Sequence, residues 1–119
     1  MLTLYHGTDL LSALALARGA RLSRRAAAAR KIDGPAGFFL ASSRIDAEYF
    51  ALRRGSGGII EYTLTEEAVR VLGGVGAVVR PIPATPRSPR FSGVELVVPP
   101  TGFAQFNSLR NRGEIDAGL

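Results

Sequence analysis

Apolar and polar positions alternate from Leu2 to His6, which predicts a short strand. Asp9 then stands as an N-cap before Leu10, Leu11, Leu14 and Ala17 at helical spacing, and Gly19 closes that helix. Ser23 to Lys31 contains a run of four alanines and reads either as a short helix or as a basic loop. Asp33-Gly34-Pro35 is turn chemistry, and Gly37 to Ala41 reads as a second strand. Ser43 can cap a helix through Ile45, Ala47, Tyr49, Phe50 and Leu52 that ends at Gly55. Further strands are expected at Ile59–Leu64, Gly76–Ile82 and Val94–Val98. Thr65-Glu66-Glu67 opens a helix through Leu72, with the acids favourably placed in its first turn. Pro81, Pro83, Pro86 and Pro89 predict an exposed loop over 81–92. Phe103, Phe106 and Leu109 are spaced for a last helix, and residues 112–119 are expected to fray.

Five or six short strands with small helices between them, not alternating regularly, argue for a single α+β domain over 1–119 with mixed or antiparallel sheets. Hydrophobic residues form 46% of the 119, enough for one core and too many for a disordered chain. No cysteine is present, so thiol catalysis and thiolate metal sites are excluded; one histidine, His6, excludes a histidine-rich zinc site. No apolar run reaches the roughly 20 residues of a membrane span, and the N-terminus lacks the pattern of a signal peptide. The expectation is a protein that acts in the cytoplasm, away from the membrane. A net charge of +5, from fourteen arginines and one lysine, favours acidic partners: nucleic acid, the phosphates of a nucleotide or an acidic antidote protein. The same charge can simply solvate the surface.

Three groups of residues suggest chemistry on a pyridinium N-glycoside. Breaking that bond through an oxocarbenium-like state needs a grip on the leaving ring, a fixed ribose and a carboxylate near the growing positive charge. His6 ends an apolar strand, where its imidazole can bond a ribose hydroxyl. Gly7, lacking a Cβ, lets backbone approach a carboxamide closely. Thr8 adds a hydroxyl for a ribose or phosphate, or caps the next helix. Phe39 and Tyr49, on a strand and the following helix, can hold a cationic ring between aromatic faces. Glu95 is a carboxylate at the start of an otherwise apolar strand; Glu61 and Glu114 are rivals, on a solvent-facing strand position and in the tail. Each also has a plain alternative: a surface histidine before a turn, core aromatics, an exposed edge-strand acid.

Read together and in order, these blocks resemble the H-Y-E branch of the ADP-ribosyltransferase superfamily, as in the diphtheria toxin catalytic domain and the poly(ADP-ribose) polymerases. Tyr5-His6-Gly7-Thr8 is similar to that family's Y-H-G-T strand. Gly37-Phe38-Phe39-Leu40-Ala41 and Ala47-Glu48-Tyr49 are similar to its G-x-Y-x-[AST] strand and A-x-Y helix. Gly93-Val94-Glu95-Leu96-Val97-Val98 is similar to its glutamate-bearing strand, and the match spans roughly residues 3–106. The resemblance implies two small sheets around an NAD cleft, with NAD as co-substrate and no metal. It implies His6 on the adenine- or nicotinamide-side ribose, Gly7 on the carboxamide, Tyr49 stacked on nicotinamide and Glu95 as the catalytic acid. Phe39 departs from the usual tyrosine and lacks its hydroxyl. Gly93, two before Glu95, lacks the first acid of the E-x-E pattern that arginine-modifying members of the other branch carry. The expected function is a mono-ADP-ribosyltransferase of the bacterial toxin kind, in a toxin–antitoxin pair or as an effector, acting on a nucleic-acid or protein acceptor. The alternatives are an NAD glycohydrolase, with water as acceptor, and a non-enzymatic basic nucleic-acid-binding domain.

Overall fold

The computed structural model describes residues 1–23, 37–53, 57–84, 86, 88 and 90–119. Strand β1 (Leu2–Thr8) leads into helix α1 (Leu10–Ala17). Asp9 makes the turn between them, its Oδ1 accepting the Ser12 N–H at 2.8 Å. After β2 (Phe38–Ala41) comes α2 (Arg44–Arg53), whose first bond runs from the Ala47 N–H to the Ser43 carbonyl. Then follow β3 (Gly58–Leu64), α3 (Glu66–Gly74), β4 (Val78–Pro81) and β5 (Val94–Val98). A 3₁₀ turn at Pro100–Gly102 leads into α4 (Phe103–Asn111) and β6 (Ile115–Gly118). Thr65 caps α3 as expected, accepting the Ala68 N–H at 3.1 Å. The basic stretch from Ser23 to Lys31 lies almost wholly outside the described residues.

The six strands form one antiparallel sheet in the order β4-β5-β2-β1-β3-β6. This corrects the expectation of two small sheets. The physical reason is a single bridging pair, Tyr5 opposite Ala41, which joins β1 to β2. On either side of that seam pairing is extensive: seven residue pairs join β1 to β3, and four join β2 to β5. The sheet is thus two three-stranded halves stitched at one point.

Helices α1, α3 and α4 cover one face over the main core of Leu4, Leu16, Phe38, Leu40, Ile60, Tyr62, Leu64, Leu72, Phe106 and Leu109. Phe38, Tyr62 and Phe106 pack edge-to-face at its centre, with centroids 5.5–5.8 Å apart. The other face carries a smaller cluster of Tyr5, Ala41 and Ile59 under Ala47 and Phe50 of α2, with Ile82 and Phe91 from the connection after β4. Ile82 is buried and Phe91 half-buried, so the 81–92 segment is not the wholly exposed loop that its prolines predict; its two ends pack inward.

The tail is also corrected. Residues 112–119 do not simply fray: Ile115–Gly118 pair with β3, and Ile115 is buried. Glu114 is held by Thr65, whose hydroxyl donates to its Oε2 and whose N–H donates to its carbonyl at 3.1 Å. An apolar residue that fills the core beside Leu64 outweighs the chain-end entropy that the charged, glycine-containing composition suggests.

Helix α2 lies on β1 at Gly7. A Cβ there would overlap the Ala47 carbonyl oxygen and stand 2.8 Å from the Ala51 nitrogen. The alanines and the glycine together let two backbones touch. Gly7→Ala is therefore expected to cost about 2 kcal/mol or more through overpacking against backbone that cannot yield. Gly73→Ala, in α3 with open space around it, is expected to gain about 0.5–1 kcal/mol. Thermal denaturation of both variants checks the contrast.

Candidate functional site

Antiparallel pairing sets which candidates share a face. Arg80 pairs with Glu95, Glu95 with Ala41, Ala41 with Tyr5 and Tyr5 with Glu61. Residues directly opposite on neighbouring strands point to the same side. Glu95 therefore faces the α2 side, one strand from the seam, and Phe39, two residues before Ala41, faces that side too. His6 and Thr8 follow the opposite parity and face the main core.

Glu95 is 4% exposed. Its Oε2 accepts the Arg80 Nε–H at 2.9 Å. The same guanidinium stands over Phe39, with its carbon 5.8 Å from the ring centroid, a cation–π contact. Burial pushes the Glu95 carboxyl above the ordinary glutamate value, and Arg80 pulls it part of the way back. Glu61, on the same row, is exposed and pairs across β3 with Gly118. The expectation that it sits on a solvent face holds.

His6 is half-buried and stacks on Phe38, with centroids 4.1 Å apart. Its Nδ1 lies 2.8 Å from the Phe39 carbonyl oxygen. A carbonyl only accepts, so Nδ1 carries a proton and donates it to this bond. This bond crosses the seam just where β1 and β2 cease to pair, and it gives His6 a structural task. Thr8 is buried, with its Oγ1 3.5 Å from Asp9 Oδ2, so its hydroxyl faces the turn rather than open space. Gly7 has its missing side chain taken up by α2. The absent Cβ serves helix packing.

Tyr49 lies on α2 with Phe50 at 5.3 Å and Phe91 at 5.4 Å between centroids, both edge-on, while Phe50 and Phe91 stack with planes 7° apart. Phe39 and Tyr49 thus have different ring neighbours: one sits beside Arg80, the other in an aromatic cluster with Phe50 and Phe91 at the middle of α2. The structure brings Glu95 and Phe39 together through Arg80, links His6 to the backbone of Phe39, and leaves Tyr49 with Phe91.

Two residues that sequence reasoning missed hold this region. Arg80 is the charge partner of Glu95, and the pairing shows only once β4 is set in register against β5, because no alternation in Val78-Val79-Arg80 marks it. Asp46 is a buried acid in the first turn of α2. Among the described residues, no group of three or more His, Cys, Asp and Glu is placed to hold a metal ion, and no helix is long and apolar enough to cross a membrane. A hollow of about 120 Å³ lies between Gly19, Ala20, Arg21, Asn107, Arg110 and Asn111; none of the candidates lines it. Comparison with protein-family models, with curated proteins and with solved structures finds no match.

Because the folded state binds the Glu95 proton more tightly than the unfolded chain, stability falls as pH rises from the ordinary glutamate value through the raised one. Arg80 limits that fall by favouring the charged form. Arg80→Met is expected to move the Glu95 carboxyl titration to higher pH and to steepen the stability loss over the same window. Carbon-detected NMR titration of the glutamate carboxyls, with melting curves at each pH, measures both.

Proposed function

We propose that the chain is an NAD-dependent mono-ADP-ribosyltransferase of the bacterial toxin kind, cleaving the nicotinamide–ribose bond of NAD and passing ADP-ribose to a macromolecular acceptor. The observation that carries this reading is the buried carboxylate of Glu95, one strand from the single-pair seam and on the face of Phe39. Burying an acid in a small domain costs stability, and a single arginine offsets that only in part. Such a group is well suited to a developing cation in a poorly hydrated site, where it acts more strongly than in water.

In the reaction the bond between ribose C1′ and the pyridinium nitrogen breaks. The electron pair leaves with nicotinamide, which becomes neutral, and positive charge grows on C1′ and the ring oxygen. Glu95 stabilises that charge. An acceptor oxygen or nitrogen then bonds C1′ and releases its proton to solvent. Phe39 supplies an aromatic face over which Arg80 stands, so a cationic ring would take the place of a guanidinium there. His6 lies on the opposite face from Glu95 and Phe39 and would have to reach a ribose across the seam. Gly7 would offer its backbone alone, and Tyr49 would cover the ring from α2. The net charge of +5 suits nucleic acid or a nucleic-acid-bound protein as acceptor, and an acidic antitoxin as inhibitor.

The test uses NAD labelled on the adenylate, with and without cell lysate, for the wild type and Glu95→Gln. Label on nuclease- or protease-sensitive material, reduced about 100-fold or more in the variant, is the expected result. Free ADP-ribose made without lysate would replace the transferase with the glycohydrolase reading. Intact NAD with both proteins would overturn the enzymatic reading and favour a basic nucleic-acid-binding domain, whose binding would weaken steeply with salt.

A further inference from the structure

Four consecutive residues before Glu95 are tied to α2 or to the turn before it. Phe91 stacks on Phe50. Asp46 Oδ2 accepts the Gly93 N–H at 2.9 Å, and its Oδ1 lies 3.3 Å from the Ser92 N and 3.4 Å from the Ser92 Oγ. Ser42 Oγ accepts the Val94 N–H at 3.0 Å, while the Ser42 N–H donates to the Val94 carbonyl at 2.8 Å. Asp46 is 4% exposed, and a Cβ on Gly93 would overlap Ser42 Oγ and stand 3.0 Å from Asp46 Oδ2. Among the described residues, the groups that converge on this side chain are donors. An ionised carboxylate accepts all of them, whereas an amide would turn N–H groups toward one of the backbone N–H donors. Its place in the first turn of α2 adds the favourable end of the helix dipole.

We propose that Asp46 is a positioning residue for Glu95: its carboxylate clasps α2 to Ser92 and Gly93 and so fixes where the following strand sets Glu95 in the sheet. The clasp spans 46–47 residues of sequence. It also joins the helix that carries Tyr49 to the strand that carries Glu95, so both ends of the candidate site move as one body. The catalytic consequence rests on the transferase reading; the clasp itself does not.

The test compares Asp46→Ala and Asp46→Asn with the wild type by amide hydrogen exchange, by the carboxyl carbon shift of Glu95 and by steady-state NAD cleavage. Ile115→Ala, at the opposite edge of the sheet, is the control for lost stability alone. In Asp46→Ala, exchange at Gly93 should rise about tenfold or more and the Glu95 shift should move. kcat should fall about tenfold or more while KM for NAD stays within about threefold, because misplacing a catalytic group slows chemistry more than binding. Asp46→Asn should recover part of each effect. Unchanged exchange at Gly93 would overturn the clasp. A kcat loss no greater than that of Ile115→Ala would overturn the positioning role. If the wild type cleaves no NAD, the transferase reading falls separately, and an unmoved Glu95 shift in Asp46→Ala would still overturn the proposal.

Discussion

At Gly7 the backbone of α2 rests against the backbone of β1, with no side chain between them. That contact sets the height of α2 above the sheet, and the rest of the α2 face follows from it. Ala47 and Ala51, both buried, are small because anything larger would lift the helix. At this height Phe50 stacks on Phe91 and joins Tyr5 and Ile59 around Ala41, Ala47 and Ile82, and Asp46 reaches the amides of Ser92 and Gly93. A helix raised by one methyl group would lose those bonds, because hydrogen bonds tolerate only a few tenths of an ångström.

The seam is the second constraint. A sheet held at its middle by one pair, Tyr5–Ala41, could slide or open, yet two further contacts reinforce it: the His6 imidazole bridges the seam to the Phe39 carbonyl, and α2 spans it from above. Glu95 stands on the middle strand of its half, one strand away from this stitched line. Its burial is tolerable because Arg80 meets it from the edge strand and remains partly open to water. One guanidinium then serves two groups, the carboxylate and the ring of Phe39, so whatever displaces it from one affects the other.

Much of the element order was legible in the sequence because its signals are local. Asp9 and Thr65 cap where a short acceptor precedes a helical pattern, and the strand at Val94–Val98 is an apolar run between a turn glycine and prolines. The pairing of the strands was not legible, since one residue pair between β1 and β2 decides between one sheet and two. Nor was the fate of the tail: Ile115 stands between Glu114 and Asp116, and its burial becomes evident only once its strand is paired with β3 beside Leu64. At the candidate site, Glu95 stood out as an acid in an apolar strand. Gly7 was legible as a close-approach glycine, but not what approaches it. Asp46 gave no signal, because a first-turn acid is ordinary on a solvated helix and becomes informative only once its donors, 46 and 47 residues away, are in view.

Under the proposed function, a dinucleotide would meet this protein at the seam, between the strand that carries His6 and Gly7 and the pair that carries Phe39 and Glu95. Amide shift mapping by NMR during titration with NAD tests it most directly. The account predicts saturable shifts at Gly7, Phe39 and Glu95, with those of Ile115–Gly118 and Asn111 unmoved. Shifts confined to the hollow between Arg21 and Arg110, or no shifts at millimolar NAD (about the upper end of ordinary KM values), would contradict it.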